Sequence, residues 1–482
     1  MRPVIGWPIR SGHPIILLTV LLAVLTAVSA CAGAATPAPT AAPTAAPATA
    51  APETAAPATQ APTSAPETAA PTSAGGTLEL WLGGILTTAT PGTPYEKWVN
   101  YVITRFKAAN PGWDVRITLL PSNNDQLAAQ VQAAFASKNV PDVMMLYAGS
   151  YTTAYDEGLL ALNDYVNKTP GFWDQMTQWN SACSGLDCKG GEGRIIGVPM
   201  DQYMFLFWYR KDLFEQAGVT PPPSDPKGAP WSWNDFLAAC EKFKAAGIIP
   251  MIYGDRDGYT TSNMMTTNIV SYFEEGDEAR FVSGDLKFTD PKFVDPLKAI
   301  ISLREKGCVS PDASTREQID AANDLISGKG AMYEAYNGML PYFESIKDKL
   351  GVALIPMSGS GPFKDRTAAM AGQNWAIPKD AKHPDQAWEF IKLASDETAG
   401  AELIPLLGSV PSNKAAAAKI DDPFVLFGLE GSQNAAMNIL DTVMSQSTAL
   451  TWYRELQQAF AGTKTPEAAL QAIEDFRQQE GP

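Results

Sequence analysis

Residues 197–218 of the chain, GVPMDQYMFLFWYRKDLFEQAG, decide the fold class. Residues 198–209 are apolar except for Asp201 and Gln202, and a nearly continuous apolar run is typical of a strand that is buried on both faces. Residues 211–218 continue as a helix with a glycine stop. A strand that leads directly into a helix is the unit from which parallel sheets are built, so this stretch predicts an α/β protein.

The same alternation extends in both directions from this stretch. Toward the N-terminus the patterns predict strands at 77–81, 115–120 and 143–146, and helices at 95–109 and 125–137. Toward the C-terminus they predict a helix capped by Ser232, a helix–break–strand segment at 318–332, strands at 351–356 and 372–378, and helices at 384–394, 397–406, 451–461 and 466–479. We therefore expect largely parallel sheets that are covered by helices.

Composition and charge exclude several functional classes. The 482 residues are more than one ordinary domain needs, and 45% of them are hydrophobic, which is typical of a soluble protein with a large core. The formal net charge of −16 argues against binding of nucleic acid. Only two histidines occur, one of them near the N-terminus, so a multi-histidine metal site is excluded. We expect no metal and no cofactor, since no phosphate-binding or dinucleotide-binding glycine motif stands out either.

The N-terminus has the pattern of an exported lipoprotein. Residues 1–31 combine Arg2 and Arg10 with the apolar run IILLTVLLAVLTAV and end in Val-Ser-Ala-Cys31, which resembles a bacterial lipobox. We expect a diacylated Cys31 to anchor the chain to the outer face of the cell membrane. Residues 32–75 are almost entirely Ala, Pro, Thr and Ser and are predicted to form a disordered tether. An ordinary signal peptide with a chance cysteine is the alternative interpretation.

Four further cysteines follow the predicted tether. Cys183 and Cys188 enclose a short turn-rich loop, and in an exported chain this spacing favours a local disulfide over a metal site. Cys240 and Cys308 either pair or remain free, and the sequence does not decide between these two states.

The order of short motifs along the body resembles that of the extracellular solute-binding proteins of ABC importers, in particular the carbohydrate-binding branch that includes maltose-binding protein. The motifs are FKAANPG (106–112), PDV (141–143), EGLL (157–160), GVP (197–199), YRKDLFEQAG (209–218), WNDF (233–236), ISGKGAM (326–332), AWEFI (387–391) and GSVP (408–411). Each motif is short, and their joint order carries the resemblance. The insert at 183–188 and the long loop at 221–230 depart from the family pattern.

This resemblance implies a type II periplasmic-binding-protein fold, in which two α/β lobes are joined by a hinge and enclose an interlobe cleft. The expected segments are 76–200 and 372–430 for the N-terminal lobe and 201–371 and 431–482 for the second lobe, with crossings near 198–203 and 370–375. The resemblance also implies a monomeric binding protein rather than an enzyme. Such a protein captures a mono- or oligosaccharide by lobe closure and delivers it to ABC permease subunits.

Ligand contacts are expected where aromatic and polar residues meet at predicted strand ends and at the crossings. Sugars present C–H faces that pack on aromatic rings, and hydroxyls that need paired donors and acceptors. Trp452 and Tyr453 resemble the aromatic pair that stacks sugar in the maltose-binding branch, and Tyr336 stands where relatives carry a tryptophan. The complete set of candidates is Trp81, Tyr147, Tyr151, Asp201, Tyr203, Tyr336, Asn337, Gln373, Asn374, Trp375, Trp452 and Tyr453.

Alternatives to these assignments remain open. Each aromatic candidate has an alternative role in the core, and Asp201 has one as a structural hydrogen-bond acceptor. The GDRDG stretch at 254–258 lacks the distal glutamate of a calcium loop and is predicted to be a solvated turn. The competing functions are a receptor of the same fold for a polyamine, peptide or anion, a ligand sensor without a transport role, and a cell-surface enzyme that acts on glycans. We predict that Trp375→Ala weakens sugar binding without unfolding the protein.

Overall fold

The computed structural model describes residues 75–186, 188 and 191–480. The predicted signal peptide, Cys31 and the predicted tether up to residue 74 lie outside the described residues. Among the described residues, no helix combines the length and the apolar character that crossing a bilayer requires.

The strands are short, and most of them are buried on both faces. They are β1 (Thr77–Leu82), β2 (Asp114–Leu119), β3 (Val143–Tyr147), β4 (Val198–Pro199), β5 (Asp201–Arg210), β6 (Ile249–Ile252), β7 (Gly330–Tyr336), β8 (Leu350–Ala353), β9 (Thr367–Ala371), β10 (Gln373–Ala376), β11 (Val410–Pro411) and β12 (Ala435–Met437).

The helices begin at the capping signals of the sequence. The Ser232 hydroxyl accepts a hydrogen bond of 3.2 Å from the backbone N–H of Asp235, as predicted for an N-cap. The α-helices are α1 (Pro94–Ala109), α2 (Asn124–Ser137), α3 (Ser150–Thr153), α4 (Asn163–Lys168), α5 (Phe172–Gln175), α6 (Lys211–Gln216), α7 (Trp233–Ala245), α8 (Tyr259–Val270), α9 (Asp277–Val282), α10 (Pro291–Glu305), α11 (Gln318–Ser327), α12 (Pro384–Ala394), α13 (Glu397–Leu407), α14 (Lys414–Ala417), α15 (Pro423–Gln433), α16 (Gln446–Ala461) and α17 (Pro466–Glu480). The 3₁₀ helices are Gly84–Thr88, Asp156–Gly158, Trp179–Ala182, Ser184–Leu186, Asn337–Lys349 and Leu440–Thr442.

Two mixed sheets organise the molecule into two α/β lobes. The first sheet has the strand order β2-β1-β3-β10-β4, in which β1 is parallel to β2 and β3, whereas β10 is antiparallel to its neighbours. The second sheet has the order β12-β9-β5-β7-β6, and β8 and β11 also pair with β5. In the second sheet β6 is parallel to β7, and β5 is antiparallel to β7 and β9. The predicted α/β class with two lobes is therefore confirmed.

The chain passes between the two sheets at residues 199–201 and 371–373. Val198 pairs within the first sheet, whereas Asp201 opens β5 in the second. Gly372 separates β9 of the second sheet from β10 of the first, and its backbone N–H donates to the backbone oxygen of Asp201 over 3.1 Å. A Cβ atom on Gly372 would lie 2.3 Å from the ring of Tyr203, so the close approach of the two crossing strands requires glycine here.

A third passage lies between α13 and β11. Leu403 and Leu407 of α13 pack in the core of the first lobe. Val410 then pairs with Gln202 of β5, and Phe427 of α15 packs in a core of the second lobe. The chain thus reaches the second sheet before the predicted segment boundary at residue 430, because β11 extends the ladder of β5.

The described cysteines fall into two pairs. The structure joins Cys183 and Cys188 by a disulfide. Cys240 and Cys308 are free and buried in the core of the second lobe. Their thiols are hydrogen-bonded to each other. This hydrogen bond is the largest cause of the raised pKa of Cys240, and burial is the second.

Candidate functional site

The candidate site lies where strand ends of the two sheets come together. Tyr147 is the last residue of β3 and stands opposite Gln373, the first residue of β10. Tyr336 is the last residue of β7 and stands opposite Phe205 of β5. In open α/β sheets the carboxyl ends of strands line the ligand crevice, so these positions are where a solute is expected.

One half of the site is a stack of tyrosines at the crossing strands. The rings of Tyr203 and Tyr336 are stacked, with centroids 4.8 Å apart and an interplanar angle of 23°. The hydroxyl of Tyr336 lies 3.4 Å from that of Tyr95, at the start of α1 in the first lobe. This half therefore contains side chains of both lobes.

The other half joins α3 of the first lobe to α16. The Tyr147 ring contacts the Tyr151 ring edge-on, with centroids 5.7 Å apart. The Tyr151 hydroxyl donates to the hydroxyl of Tyr453 over 3.2 Å, and the ring of Tyr259 packs edge-on against Tyr453 at 4.9 Å. We call the seven residues Tyr95, Tyr147, Tyr151, Tyr203, Tyr259, Tyr336 and Tyr453 the tyrosine cluster.

Asp201 supplies a buried carboxyl group at the first crossing. Its Oδ1 accepts the backbone N–H of Gln373 over 3.1 Å, whereas its buried Oδ2 has no hydrogen-bond partner among the described residues. Burial raises the pKa of Asp201 to about 7, because the ionised form is removed from water. Gln373 is equally buried: its Nε2 donates to the Tyr203 hydroxyl over 2.9 Å, and its Oε1 has no partner among the described residues.

Asp441 supplies a second carboxyl group from the other side. Its Oδ2 accepts a hydrogen bond from the Tyr453 hydroxyl, and its buried Oδ1 has no partner among the described residues. Burial raises the pKa of Asp441. The pKa of Tyr147 is raised to about 12, mainly by burial and further by the negative charges of Asp201 and Asp441. Both carboxyl groups therefore lie close enough to affect the same tyrosine.

A further pair of buried carboxyl groups lies in the second lobe, next to the cluster. Asp255 follows β6 and accepts the backbone N–H and the hydroxyl of Thr261 over 2.8 and 2.7 Å. Burial raises the pKa of Asp255 to about 7. Glu334 lies two residues before Tyr336 on β7; its Oε2 accepts from Gln318 over 3.3 Å, and its Oε1 has no partner among the described residues. The expectation of a solvated turn at 254–258 is therefore wrong for Asp255.

Two of the predicted tryptophans lie in cores rather than in the cleft. Trp375 is 1% exposed, stacks with Trp98 at 6.3 Å and contacts Phe390 edge-on at 5.7 Å. β10 starts at the cleft edge with Gln373, so a residue two positions later is already under the helices of the first lobe. Trp452 is fully buried in the second lobe, where its Nε1 donates to Ser262 over 2.7 Å.

Three further candidates make contacts within the protein, although the buried Oδ1 of Asn374 has no partner among the described residues. The Asn337 side chain accepts from the backbone of Met204 and donates to that of Gln202, over 3.2 and 3.1 Å. Asn374 donates to the hydroxyl of Thr152 and to the backbone of Ser181. Trp81 packs on a small core cluster of the first lobe.

The structure thus brings together seven of the predicted residues, namely Tyr147, Tyr151, Asp201, Tyr203, Tyr336, Gln373 and Tyr453. It adds residues that sequence reasoning missed, namely Tyr95, Tyr259, Asp255, Glu334 and Asp441. Tyr259 follows β6, so the strand-end rule that selected Tyr147 would have found it. Asp441 carries no such signal, because its position is set by the contact of its backbone oxygen with the Ser150 hydroxyl of α3, at 2.8 Å.

Comparison with known proteins agrees with this architecture. The family model described as bacterial extracellular solute-binding protein matches residues 89–401. The sn-glycerol-3-phosphate-binding periplasmic protein UgpB of Escherichia coli (strain K12) is 23% identical over 391 residues, which cover 78% of this chain and 87% of that protein.

Solved structures share the fold at low sequence identity. A chitin oligosaccharide binding protein superposes with a TM-score of 0.70 at 20% identity, covering 84% of this chain and 98% of that one. Maltose-bound MalE3 of T. maritima superposes with a TM-score of 0.68 at 19% identity, covering 84% and 99%. These relatives are binding proteins, which agrees with the prediction that the chain is not an enzyme.

Proposed function

Since the chain belongs to the bacterial extracellular solute-binding protein family, we propose that it captures a sugar or a related polyol between its lobes and delivers it to the permease of an ABC importer. The observation that carries this proposal is the tyrosine cluster, which draws Tyr95, Tyr147 and Tyr151 from the first lobe and Tyr203, Tyr336 and Tyr453 from the second. A solute that contacts both groups of rings favours the closed arrangement of the lobes.

The chemistry of the cluster suits a polyol. Aromatic rings pack on the C–H faces of a pyranose, while the free oxygens of Asp201, Gln373 and Asp441 accept hydrogen bonds from hydroxyl groups. The similarity to chitin oligosaccharide and maltose binding proteins supports a carbohydrate ligand.

The similarity to a glycerol-3-phosphate binding protein favours a second candidate, but the site chemistry opposes it. Besides burial, the carboxyl group of Asp201 raises the pKa of Tyr147 and of Tyr203. The carboxyl group of Asp441 raises the pKa of Tyr147 and of Tyr453. A phosphate dianion beside two buried carboxyl groups would meet repulsion in a medium of low dielectric constant. We therefore favour a solute without negative charge.

The remaining parts of the proposal concern position and partners. A lipid anchor on Cys31 with a tether at 32–75 would hold a monomeric body outside the membrane, within reach of permease subunits. The predicted division is 76–200 with 372–430 and 201–371 with 431–482, except that the chain already joins the second sheet at β11, and residues around the crossings would act as the hinge.

A ligand screen with a conformational readout tests this function. The purified full chain in mild detergent is titrated calorimetrically with mono- and oligosaccharides, sn-glycerol 3-phosphate, peptides and linear polyamines, and each binding solute is then tested by small-angle scattering. We expect a saccharide to bind and to reduce the radius of gyration. Binding of glycerol 3-phosphate alone, or turnover of a glycan, would overturn the proposal.

A further inference from the structure

Half of the buried acidic side chains among the described residues are paired with a lysine or an arginine. The pairs are Asp277 with Lys292, Asp324 with Arg316, Glu455 with Lys464 and Glu474 with Arg477. The basic partners of Asp324 contribute to a pKa that lies below the ordinary value, although burial acts against them. The chain therefore follows the rule that a buried carboxylate needs a cation.

Of the remaining buried acids, Asp142 accepts the backbone N–H groups of Glu79 and His383, and the other three lie at or next to the tyrosine cluster. Asp201, Asp255 and Glu334 are at most 1% exposed, and none of them forms an ion pair with a described residue. Asp441 is half-buried, but its Oδ1 is buried, and it also forms no ion pair with a described residue. The only part of the described chain that collects buried acids without cations is thus the part that the proposed solute enters.

On the four acids and amides at or beside the tyrosine cluster, the atoms left without partners are acceptors. They are Oδ2 of Asp201, Oε1 of Gln373, Oδ1 of Asp441 and Oε1 of Glu334, each buried and without a hydrogen bond from a described residue. A group that complements such a set donates hydrogen bonds and carries positive charge. An ammonium group has three donors and no acceptor, whereas a hydroxyl group also needs a donor for its own lone pairs.

The rings around these acceptors fit the same ligand. Asp201 and Asp441 both raise the pKa of Tyr147, so both carboxyl groups lie near its ring. The rings of Tyr203 and Tyr336 form a stacked pair beside Asp201. Cations are attracted to aromatic faces, and this attraction grows when water is excluded. Carboxylates together with aromatic rings form the usual environment of a bound alkylammonium group.

We propose that the solute carries a protonated amino group that binds at Asp201 and Asp441 against the tyrosine cluster, so that the ligand is an amino sugar or a related amino polyol. This inference rests on the proposed function, because it concerns the solute of the same cleft. It adds the charge of the solute, which the family membership leaves open.

Binding of an ammonium group at Asp201 would be coupled to the release of a proton. Asp201 has a pKa of about 7 in the empty protein, so part of the population holds a proton on this group at neutral pH. A bound ammonium group favours the ionised form and expels that proton. Binding of an amino sugar at pH 6 to 7 should therefore release protons, whereas binding of the matching neutral sugar should not.

Matched ligand pairs test the proposal on the full chain. D-glucosamine, D-galactosamine, D-mannosamine and the β-1,4-linked glucosamine disaccharide are each compared with the hydroxyl and N-acetyl analogues by titration calorimetry at pH 7 and low salt. We expect at least one amine to bind ten-fold or more tightly than both analogues, with an observed heat that depends on the ionisation enthalpy of the buffer. If the neutral member of every pair binds as tightly as the amine, or if no member of any pair binds, the inference is wrong.

Isosteric variants assign the effect to the two carboxyl groups. Asp201→Asn and Asp441→Asn should each lose the preference for the amine, with at least ten-fold weaker amine binding, so that the amine no longer binds more tightly than the matching neutral sugar. Asp421→Asn, at an exposed aspartate, removes the same charge and should change neither affinity. If both site variants fold by their melting curves and retain the preference, the proposal is overturned.

The outcomes also separate this inference from the function on which it rests. Tight binding of neutral sugars with lobe closure would refute the amine and leave the sugar receptor standing. Binding of putrescine or spermidine without any saccharide would refute both the sugar receptor and the amino sugar.

Discussion

The free energy of unfolding of the empty protein should fall as the pH rises from 5 to 7.5. The pKa of Asp201 and of Asp255 is about 7 in the folded chain, against an ordinary value of 3.8. Over this interval the folded state therefore holds more protons than the unfolded state, and stability decreases with pH. The favourable contribution of each group is complete below pH 3.8 and is lost as the pH passes through 7.

The size of the effect follows from the two shifts. Each displacement of about three pH units corresponds to about 4 kcal/mol, and each group contributes a slope of about 1.4 kcal/mol per pH unit between the two pKa values. Acids with lowered pKa values, such as Asp277 and Asp324, act in the opposite direction. Their stabilisation is already complete above the unfolded pKa near 4, so it does not offset the decline above pH 5.

Urea denaturation at a series of pH values measures this decline without adding salt. We expect a loss of several kcal/mol between pH 5 and 7.5, and a smaller slope in Asp201→Asn, in which the remaining acids with raised pKa values still contribute. The exposed control Asp421→Asn should retain the full slope. A stability that is constant or rises over this interval would refute the reasoning, since it would mean that the two carboxyl groups are neutralised or solvated in the folded protein.

Three further outcomes follow from the placement of single residues. Trp375→Ala should lower the free energy of unfolding in urea by about 3–5 kcal/mol and leave solute affinity unchanged, because the ring fills a core. Tyr203→Ala and Tyr336→Ala should each weaken solute binding by about 1–3 kcal/mol in calorimetry, because their stacked rings lie in the proposed cleft. A thiol reagent should leave Cys240 and Cys308 unmodified in the native chain and detect both thiols after unfolding without reductant.

The fold was largely predictable because each element carries its own signal. The predicted helix at 384–394 coincides with α12, where a proline starts the helix and one face is buried, and the strand predicted at 77–81 differs from β1 by one residue. The crossings near 198–203 and 370–375 were expected from the family resemblance, and both lie in extended runs of the chain. Local patterns suffice where local propensity and burial agree.

The site was less predictable because it depends on distances along strands and between lobes. Gln373 and Trp375 lie on the same face of β10, yet the side chain of Gln373 lies at the proposed cleft and that of Trp375 lies in the core of the first lobe. A sequence shows which residues share a face, but the depth of each residue depends on where the neighbouring strand ends. Asp441 illustrates the second difficulty, because its neighbours Tyr453 and Ser150 come from different parts of the chain.

The position of Asp201 explains how a charge on the solute can act on the lobes. Its Oδ1 accepts the backbone N–H of Gln373, and its backbone oxygen accepts that of Gly372, so one residue connects both crossing strands. Oδ2 has no donor from a described residue, and burial disfavours the ionised form. A cation at Oδ2 would stabilise the ionised form, and a charged acceptor strengthens the hydrogen bond to Gln373. Recognition of the solute and the connection between the crossing strands would then depend on the same carboxyl group.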